Sequence, residues 1–293
     1  MQSLERLKKK IKTAQDLLSV VRTMKSLAAV NIRQFEDAVG AVQEYSSIVD
    51  LGWQVLFKSV GKLAPIKTWQ GIILLILGSD QGMCGKFNEV VLDLALQKEK
   101  ELAERKEKIL FWTTGQRIRP GLVNEGKTVQ EHFDLPSDLA GINDQVYLIV
   151  KTFEAWQREK RVEGLNILYN QLDKGGSYHP VCFQLLPLDK SWLEKYRGKT
   201  WPNRCLPLSG LPGDDLFRHL FRQYLFVALF RSFAQSLASE NAARLMSMQA
   251  AEKNIQELKE DLQSEFRETR QSIITAELLD IIAGFEDISN DQG

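Results

Sequence analysis

The stretch Ser79-Asp80-Gln81-Gly82-Met83-Cys84-Gly85-Lys86 follows the apolar run Ile72–Leu77 almost directly. An apolar strand, a glycine-rich turn and a Gly-Lys pair are the ingredients of a phosphate cradle, where backbone N–H groups and a lysine hold the anion. The spacing argues against one. Counting back from Gly85-Lys86, Asp80 occupies the place of the first glycine, and Phe87 stands where a Ser or Thr would bind magnesium. A dinucleotide loop would need a third glycine at residue 80. The plainer expectation is a strand-to-helix turn that uses Gly82 and Gly85 for positive φ or close backbone approach.

Other reactive side chains are scattered. His132, His179 and His219 form no i, i+4 metal pair and neighbour no cysteine. The three cysteines, Cys84, Cys182 and Cys205, lack metal-ligand spacing and are odd in number, so neither zinc nor a disulfide framework is expected. Cys84 between its glycines could be a reactive thiol, but no base lies near it in sequence, and a small buried residue is the simpler reading. Asp173, Lys174 and Tyr178 could be drawn as an acid/base group, yet loop polarity accounts for them. No catalytic residue, cofactor or metal is expected.

The elements that position these residues can be read from periodicity. Leu4, Leu7, Ile11, Ala14, Leu18, Val21, Lys25, Ala28, Ile32, Phe35, Val39 and Val42 follow alternating steps of three and four, with only Lys25 polar. A heptad seam this long marks a helix that packs on another helix. From Asp214 to Ala283 there is neither glycine nor proline, which allows a helix of about 105 Å. Its apolar positions, Ala234, Ala238, Leu245, Met248, Ile255, Leu262, Phe266 and Ile273, are interrupted by Asn241, Glu252 and Lys259. Asp214-Asp215 suits its positive end, and Gly284 is placed as a C-terminal cap. Helices this long need each other or a partner, and an antiparallel pair is the simplest arrangement.

Between them the pattern alternates. Strands are expected at Ile72–Leu77, Ile109–Thr113, Leu165–Asn170 and Val181–Leu186, with helices at Val90–Lys106 and Asp138–Gln157. That is an α/β arrangement: a small Rossmann-like domain with a mainly parallel sheet, carried on a long antiparallel coiled coil. The expected segments are 1–60 for the N-terminal helix, 70–210 for the α/β domain and 214–284 for the C-terminal helix. The loops KGGSYHP (Lys174–Pro180) and LPLSGLPGDD (Leu206–Asp215) are rich in turn formers, and the second reads as a hinge.

Composition sets outer limits. Of 293 residues, 44% are hydrophobic and 26% charged, a globular mixture. The 38 basic and 38 acidic residues cancel, so no global field recruits nucleic acid. The run Lys8-Lys9-Lys10-Ile11-Lys12, extended by Arg22, Lys25 and Arg33, could still meet an acidic partner. MQSLERLKKKIK has no secretory character, and no apolar run approaches the roughly 18 residues of a membrane helix.

Three segments together resemble the gamma subunit of F-type ATP synthases. VRTMKSLAAVNIRQ (Val21–Gln34) is similar to that family's T-x-A-M-x-M-V-A-A helix, and SDQGMCGKFN (Ser79–Asn88) to its S-D-R-G-L-C-G-G-x-N loop. SENAARLMSMQAA (Ser239–Ala251) and RQSIITAELLDIIAG (Arg270–Gly284) are similar to its two C-terminal motifs. The departures are Gln81 for arginine, Lys86 for glycine, the stretch VNIRQF, and an unfamiliar segment Asp189–Asp215. They point to a divergent branch, such as the alternative N-type complex that some bacteria carry.

The resemblance implies a non-catalytic rotor shaft that couples ion flow to conformational cycling of a catalytic alpha-beta ring. Its implied partners are the alpha and beta subunits, the epsilon subunit and the membrane c-ring, with no nucleic acid and no transmembrane segment. It places Met24 and Lys25 against acidic loops of the catalytic subunits. Arg270, Gln271, Thr275 and Glu277 would latch onto the ring, and Leu278, Ile281 and Ile282 would lie at an apolar bearing. Asp80, Gly82, Cys84 and Gly85 mark the family loop. The implied location is peripheral, on the cytoplasmic face of a bacterial plasma membrane or on a thylakoid membrane. Two rivals stand beside it: an α/β nucleotide-binding enzyme with a coiled-coil arm, and a non-rotary coiled-coil scaffold.

Overall fold

The computed structural model describes residues 4–59, 71–104, 107–160, 162, 164–188, 192, 196, 201 and 210–290. The hinge segment before Gly210, most of the segment Asp189–Asp215 and Cys205 lie outside the described residues.

The heptad track folds as α1 (Leu4–Ser59), a helix of 56 residues. Leu7, Ala14, Leu18, Val21, Ala28 and Phe35 are buried, and the remaining members of the track, Lys25 included, are half-buried. Gly40 lies inside this helix in open space. The second long helix, numbered α5 below, is Gly213–Asn290, 78 residues with Asp214 and Asp215 in its first turn. The expected cap at Gly284 is not one, because the helix continues six residues past it. One glycine weakens a helix by about 1 kcal/mol but removes none of its hydrogen bonds, so it stops nothing by itself.

Between the long helices lie β1 (Ile72–Leu77), α2 (Phe87–Ala103), β2 (Ile109–Thr114), α3 (Ile118–Asn124), β3 (Val129–Phe133), α4 (Leu139–Lys160), β4 (Gly164–Leu172) and β5 (Tyr178–Leu186). The sheet order is β3-β2-β1-β4-β5. The first four strands are parallel and β5 runs antiparallel to β4. This bears out the α/β class with a mainly parallel sheet. β1 is central and all six of its residues are buried, as a parallel strand covered on both faces requires. Its side chains alternate. Ile73, Leu75 and Leu77 join one core with α4, Phe35 of α1 and Leu225–Ala238 of α5. Ile72, Leu74 and Ile76 join another with α2 and α3.

Two elements had no sequence forecast. β3 is half-buried except at Phe133, so it has no apolar run to announce it. α3 contains Pro120 and Gly121, ordinary helix breakers. The proline sits in the first turn, where no N–H is required. Gly121 lets α2 approach, since a Cβ there would stand 2.6 Å from a Leu92 methyl.

The chain forms two compact units, Met1–Leu27 with Leu245–Gly293, and Ala28–Arg244. In the first, Leu7, Ala14, Leu18 and Val21 of α1 and Met248 and Leu262 of α5 are the buried apolar residues. The second holds the sheet with its flanking helices. It also holds an aromatic cluster in which Trp53 stacks on Phe57 and meets Trp192 and Phe217 edge-on.

Candidate functional site

The glycine-rich loop leaves β1 through a tight approach to the end of β2. Gly78 donates its N–H to Thr114 O at 3.0 Å, and Arg117 donates to Ser79 O at 3.0 Å. Gly115 crosses here at φ +81°, where a Cβ would stand 2.9 Å from the Gly78 and Ser79 backbone. Asp80 Oδ1 accepts the Gln116 N–H at 2.9 Å. The Ser79 N–H goes to Asn88 Oδ1 at 3.0 Å, and Asn88 Nδ2 returns to Ser79 Oγ at 2.8 Å. These bonds tie Ser79, Asp80 and Asn88 to one another and to the turn after β2.

The glycines do not share the expected role. Gly85 has φ +57°, but the other left-handed residue is Met83 at φ +62°. Gly82 has no positive φ, and a Cβ there would only touch the Arg117 guanidinium at 3.5 Å. The expectation is corrected at Gly82. The turn is made by Met83 and Gly85, and a residue of any type can lack a Cβ clash where the backbone is already open.

In a doubly wound sheet, ligands sit beyond the carboxyl ends of the strands where the strand order reverses. Here that point lies between β1 and β4, and α5 occupies it. Asn170 of β4 donates Nδ2–H to Phe87 O at 2.8 Å, and its carbonyl accepts the Ser239 hydroxyl at 2.9 Å. Cys84, Phe87 and Ala243 form a small buried cluster, with Tyr178 packed against it. The N–H of Phe87, at the mouth of α2, is committed to Cys84 O at 3.3 Å. The crevice is taken up by α5, and the first N–H of α2 is already bonded within the loop, which leaves the spacing argument against a phosphate cradle in force.

Charge in this core is paired. Glu240 and Arg244, both buried, meet through Oε1 and Nη2 at 2.5 Å. Burial pushes the Glu240 carboxyl up, and Arg244 opposes that. Arg244 also donates to Asn241 Oδ1 at 3.3 Å, which accepts from Asn31 Nδ2 of α1 at 3.4 Å. Burial raises the Cys84 thiol as well, with the Ser79 hydrogen bond opposing. Asp173, imagined as an acid/base residue, pairs with His179 at 3.0 Å in the β4–β5 hairpin. Among the described residues no cluster of His, Cys, Asp or Glu could hold a metal ion.

In the helix pair, Lys25 of the first seam faces Glu252, one of the polar interruptions of the second. Lys25 Nζ lies 2.5 Å from Glu252 Oε2, and Arg22 Nε lies 2.8 Å from Oε1 of the same carboxylate. Lys25 is therefore held across the pair by Glu252. Met24, its neighbour, is half-buried. Glu252 was legible only as a break in the second seam.

The resemblance-based residues of the C-terminal motif share one property. Every side chain from Arg270 to Ile282 is exposed. Arg270, Gln271, Thr275 and Glu277 make no tertiary hydrogen bond among the described residues, and Thr275 Oγ1 merely donates back to Gln271 O at 2.9 Å. Leu278, Ile281 and Ile282 are 56%, 60% and 46% exposed, and Ile274 and Leu279 join them. Isoleucines and leucines so displayed over three turns imply a covering partner.

Compared with known protein families, residues 3–288 match the one described as ATP synthase. The chain belongs to that family. Among curated relatives in the ATP synthase family, the gamma chain of Polynucleobacter necessarius is 24% identical over 297 residues, covering 97% of this chain and 99% of the relative. The gamma chain of Malacoplasma penetrans is 28% identical over 290 residues, with the same two coverages. A chain of the Euglena gracilis mitochondrial ATP synthase (OSCP/F1/c-ring) has the same fold at a TM-score of 0.63. It is 15% identical, and the match covers 99% of this chain and 96% of that one. A chain from the Tetrahymena thermophila central stalk and c-ring aligns at TM-score 0.54 and 17% identity, over 79% of this chain and 99% of that one. No helix among the described residues is long and apolar enough to cross a membrane.

Proposed function

We propose that this chain is the gamma subunit of a rotary ATP synthase. It is a non-catalytic central stalk whose turning couples ion flow to the conformational cycle of catalytic sites carried by other subunits. The observation that carries this reading is the end-to-end likeness to gamma chains, with paired terminal helices bracketing an α/β domain whose ligand crevice is filled by its own helix. A shaft needs no bound nucleotide. It needs faces that differ, so that each conformation of a surrounding site meets a different contact.

In this reading, the segments 1–60 and 214–284 serve as shaft and 70–210 as foot. The partners are the alpha and beta subunits around the shaft, and the epsilon subunit and c-ring at the foot. Met24, with Lys25 anchored on Glu252, faces the catalytic subunits. Arg270, Gln271, Thr275 and Glu277 latch to the ring, and Leu278, Ile281 and Ile282 seat in an apolar bearing, which their exposure supports. The loop at Asp80, Gly82, Cys84 and Gly85 is structural. The complex is peripheral, on the cytoplasmic face of a bacterial plasma membrane or on a thylakoid membrane, as a divergent or alternative synthase.

Co-expression with alpha and beta subunits tests the reading. An ATP-hydrolysing complex containing one copy of this chain is expected. Purification that never yields that stoichiometry, or nucleotide binding by the isolated chain that Lys86→Ala abolishes, overturns it.

A further inference from the structure

From Ser232 to Arg244, every side chain of α5 except Gln235 is buried. A helix covered on all sides is gripped like an axle in a collar. Apart from Phe233 and Leu237, the apolar part of this grip is small: Ala234, Ala238, Ala242 and Ala243. Small apolar faces pack closely but without direction, and helices can shift past such contacts in discrete steps. Rotation about the helix axis is opposed by directional bonds.

Those bonds concentrate at three consecutive residues, which point about 100° apart around the axis. Ser239 donates to the Asn170 carbonyl of β4 at 2.9 Å and, with the same single proton, alternatively to Gln235 O at 2.8 Å. Asn241 accepts from Asn31 of α1 at 3.4 Å. Glu240 is fixed by Arg244 one turn on along the same helix. Sheet and first helix are thus each engaged by a different azimuth of one helical turn, while the loop meets α5 through the apolar contact of Cys84 and Phe87 with Ala243.

We propose that Ser239 and Asn241 are positioning residues that lock the rotational register of α5 within the α/β domain, so that torque on the domain enters the helix without slip. The torque clause rests on the stalk reading. The register clause stands on the geometry alone.

The register can be read on the full chain by pulsed electron–electron resonance. Spin labels are placed at the exposed positions Val123→Cys on α3 and Arg231→Cys on α5, with the native cysteines replaced by alanine. One narrow distance population is expected with the native residues, and also with Ser239→Thr, which keeps the hydroxyl. Ser239→Ala/Asn241→Ala is expected to add a second population of about a tenth. If that double variant shows no helical circular dichroism, Ser239→Ala alone carries the same expectation. In the assembled complex the double variant should lower ion pumping per ATP hydrolysed about twofold or more at unchanged hydrolysis. A single population in every variant overturns the inference, and full coupling alongside a second population overturns its torque clause. A native chain that joins no catalytic ring refutes the stalk reading instead, and the distances still decide the register.

Discussion

Lys25, the polar member of the α1 seam, and Glu252, one of three polar breaks in the α5 seam, meet at 2.5 Å, and Arg22 shares the same carboxylate at 2.8 Å. The hydrogen bonds from Lys25 and then Arg22 hold the Glu252 carboxyl below its usual range. A lowered carboxyl stabilises the fold above its unfolded value, about 4.3, and loses that contribution as pH falls through the folded one. Glu252→Gln should therefore melt earlier than the native chain at neutral pH and converge with it in acid, followed by circular dichroism. A constant gap across pH would contradict the pairing.

Arg244 and Glu240 carry more weight because they are buried. Arg244→Met strands a carboxylate in the core and is expected to cost about 3–5 kcal/mol in denaturant unfolding, most of it regained by Glu240→Gln in the same chain. Burial already raises Glu240. A raised carboxyl stabilises below its unfolded value and loses that as pH rises through the folded one. The Arg244→Met defect should accordingly be smaller at pH 5 than at pH 8.

Gly115 has no room for a side chain. Its φ is +81° and a Cβ would press on backbone atoms at 2.9 Å. Gly115→Ala should destabilise by more than about 1 kcal/mol, whereas Gly126→Ala, at φ +72° in open space, measures the conformational strain alone.

Cys84 is buried and its thiol is pushed up, chiefly by burial. Alkylation by iodoacetamide at pH 7.5, followed by mass spectrometry, should reach Cys84 only as fast as the domain opens, and Gly115→Ala should accelerate it. Rapid labelling of the native fold would refute this.

Arg270→Ala and Glu277→Ala remove exposed groups that make no tertiary hydrogen bond among the described residues, so unfolding free energy should stay within about 0.5 kcal/mol. As latch residues, the same variants should change the ATPase coupling of the assembled complex. Loss of folding would assign them to structure instead.

How far the sequence reveals the molecule depends on how local each signal is. The six apolar residues of β1 and the three-four spacing from Leu4 to Val42 are patterns with one physical solution each, and both appear where expected. β3 has no apolar run, and α3 hides behind Pro120 and Gly121, because neighbours rather than propensity hold them. Gly284 and Gly82 mislead for a shared reason: glycine permits a special conformation without requiring it. Ser239 sits inside a recognisable motif, but its partner is the Asn170 carbonyl, and no spacing in a chain predicts which distant backbone atom a hydroxyl will find. The pairing of Lys25 with Glu252 is half legible: Lys25 is the single polar member of its seam, but Asn241, Glu252 and Lys259 all break the other, and only the register of the two helices selects Glu252.

The filled crevice also has a consequence for biosynthesis. One core of the α/β domain takes Leu225, Leu229, Phe230, Phe233, Ala234, Leu237 and Ala238 from α5, and a ribosome makes these after every strand of the sheet. A nascent chain that ends at β5 presents this sheet face with α4 in place but without the α5 side chains that complete its core, and an Asn170 carbonyl without the Ser239 hydroxyl. The domain cannot close until translation has passed Arg244. Folding of the part made first is thereby tied to synthesis of the part made last, so a truncated chain fails as a domain before it can be tried as a shaft.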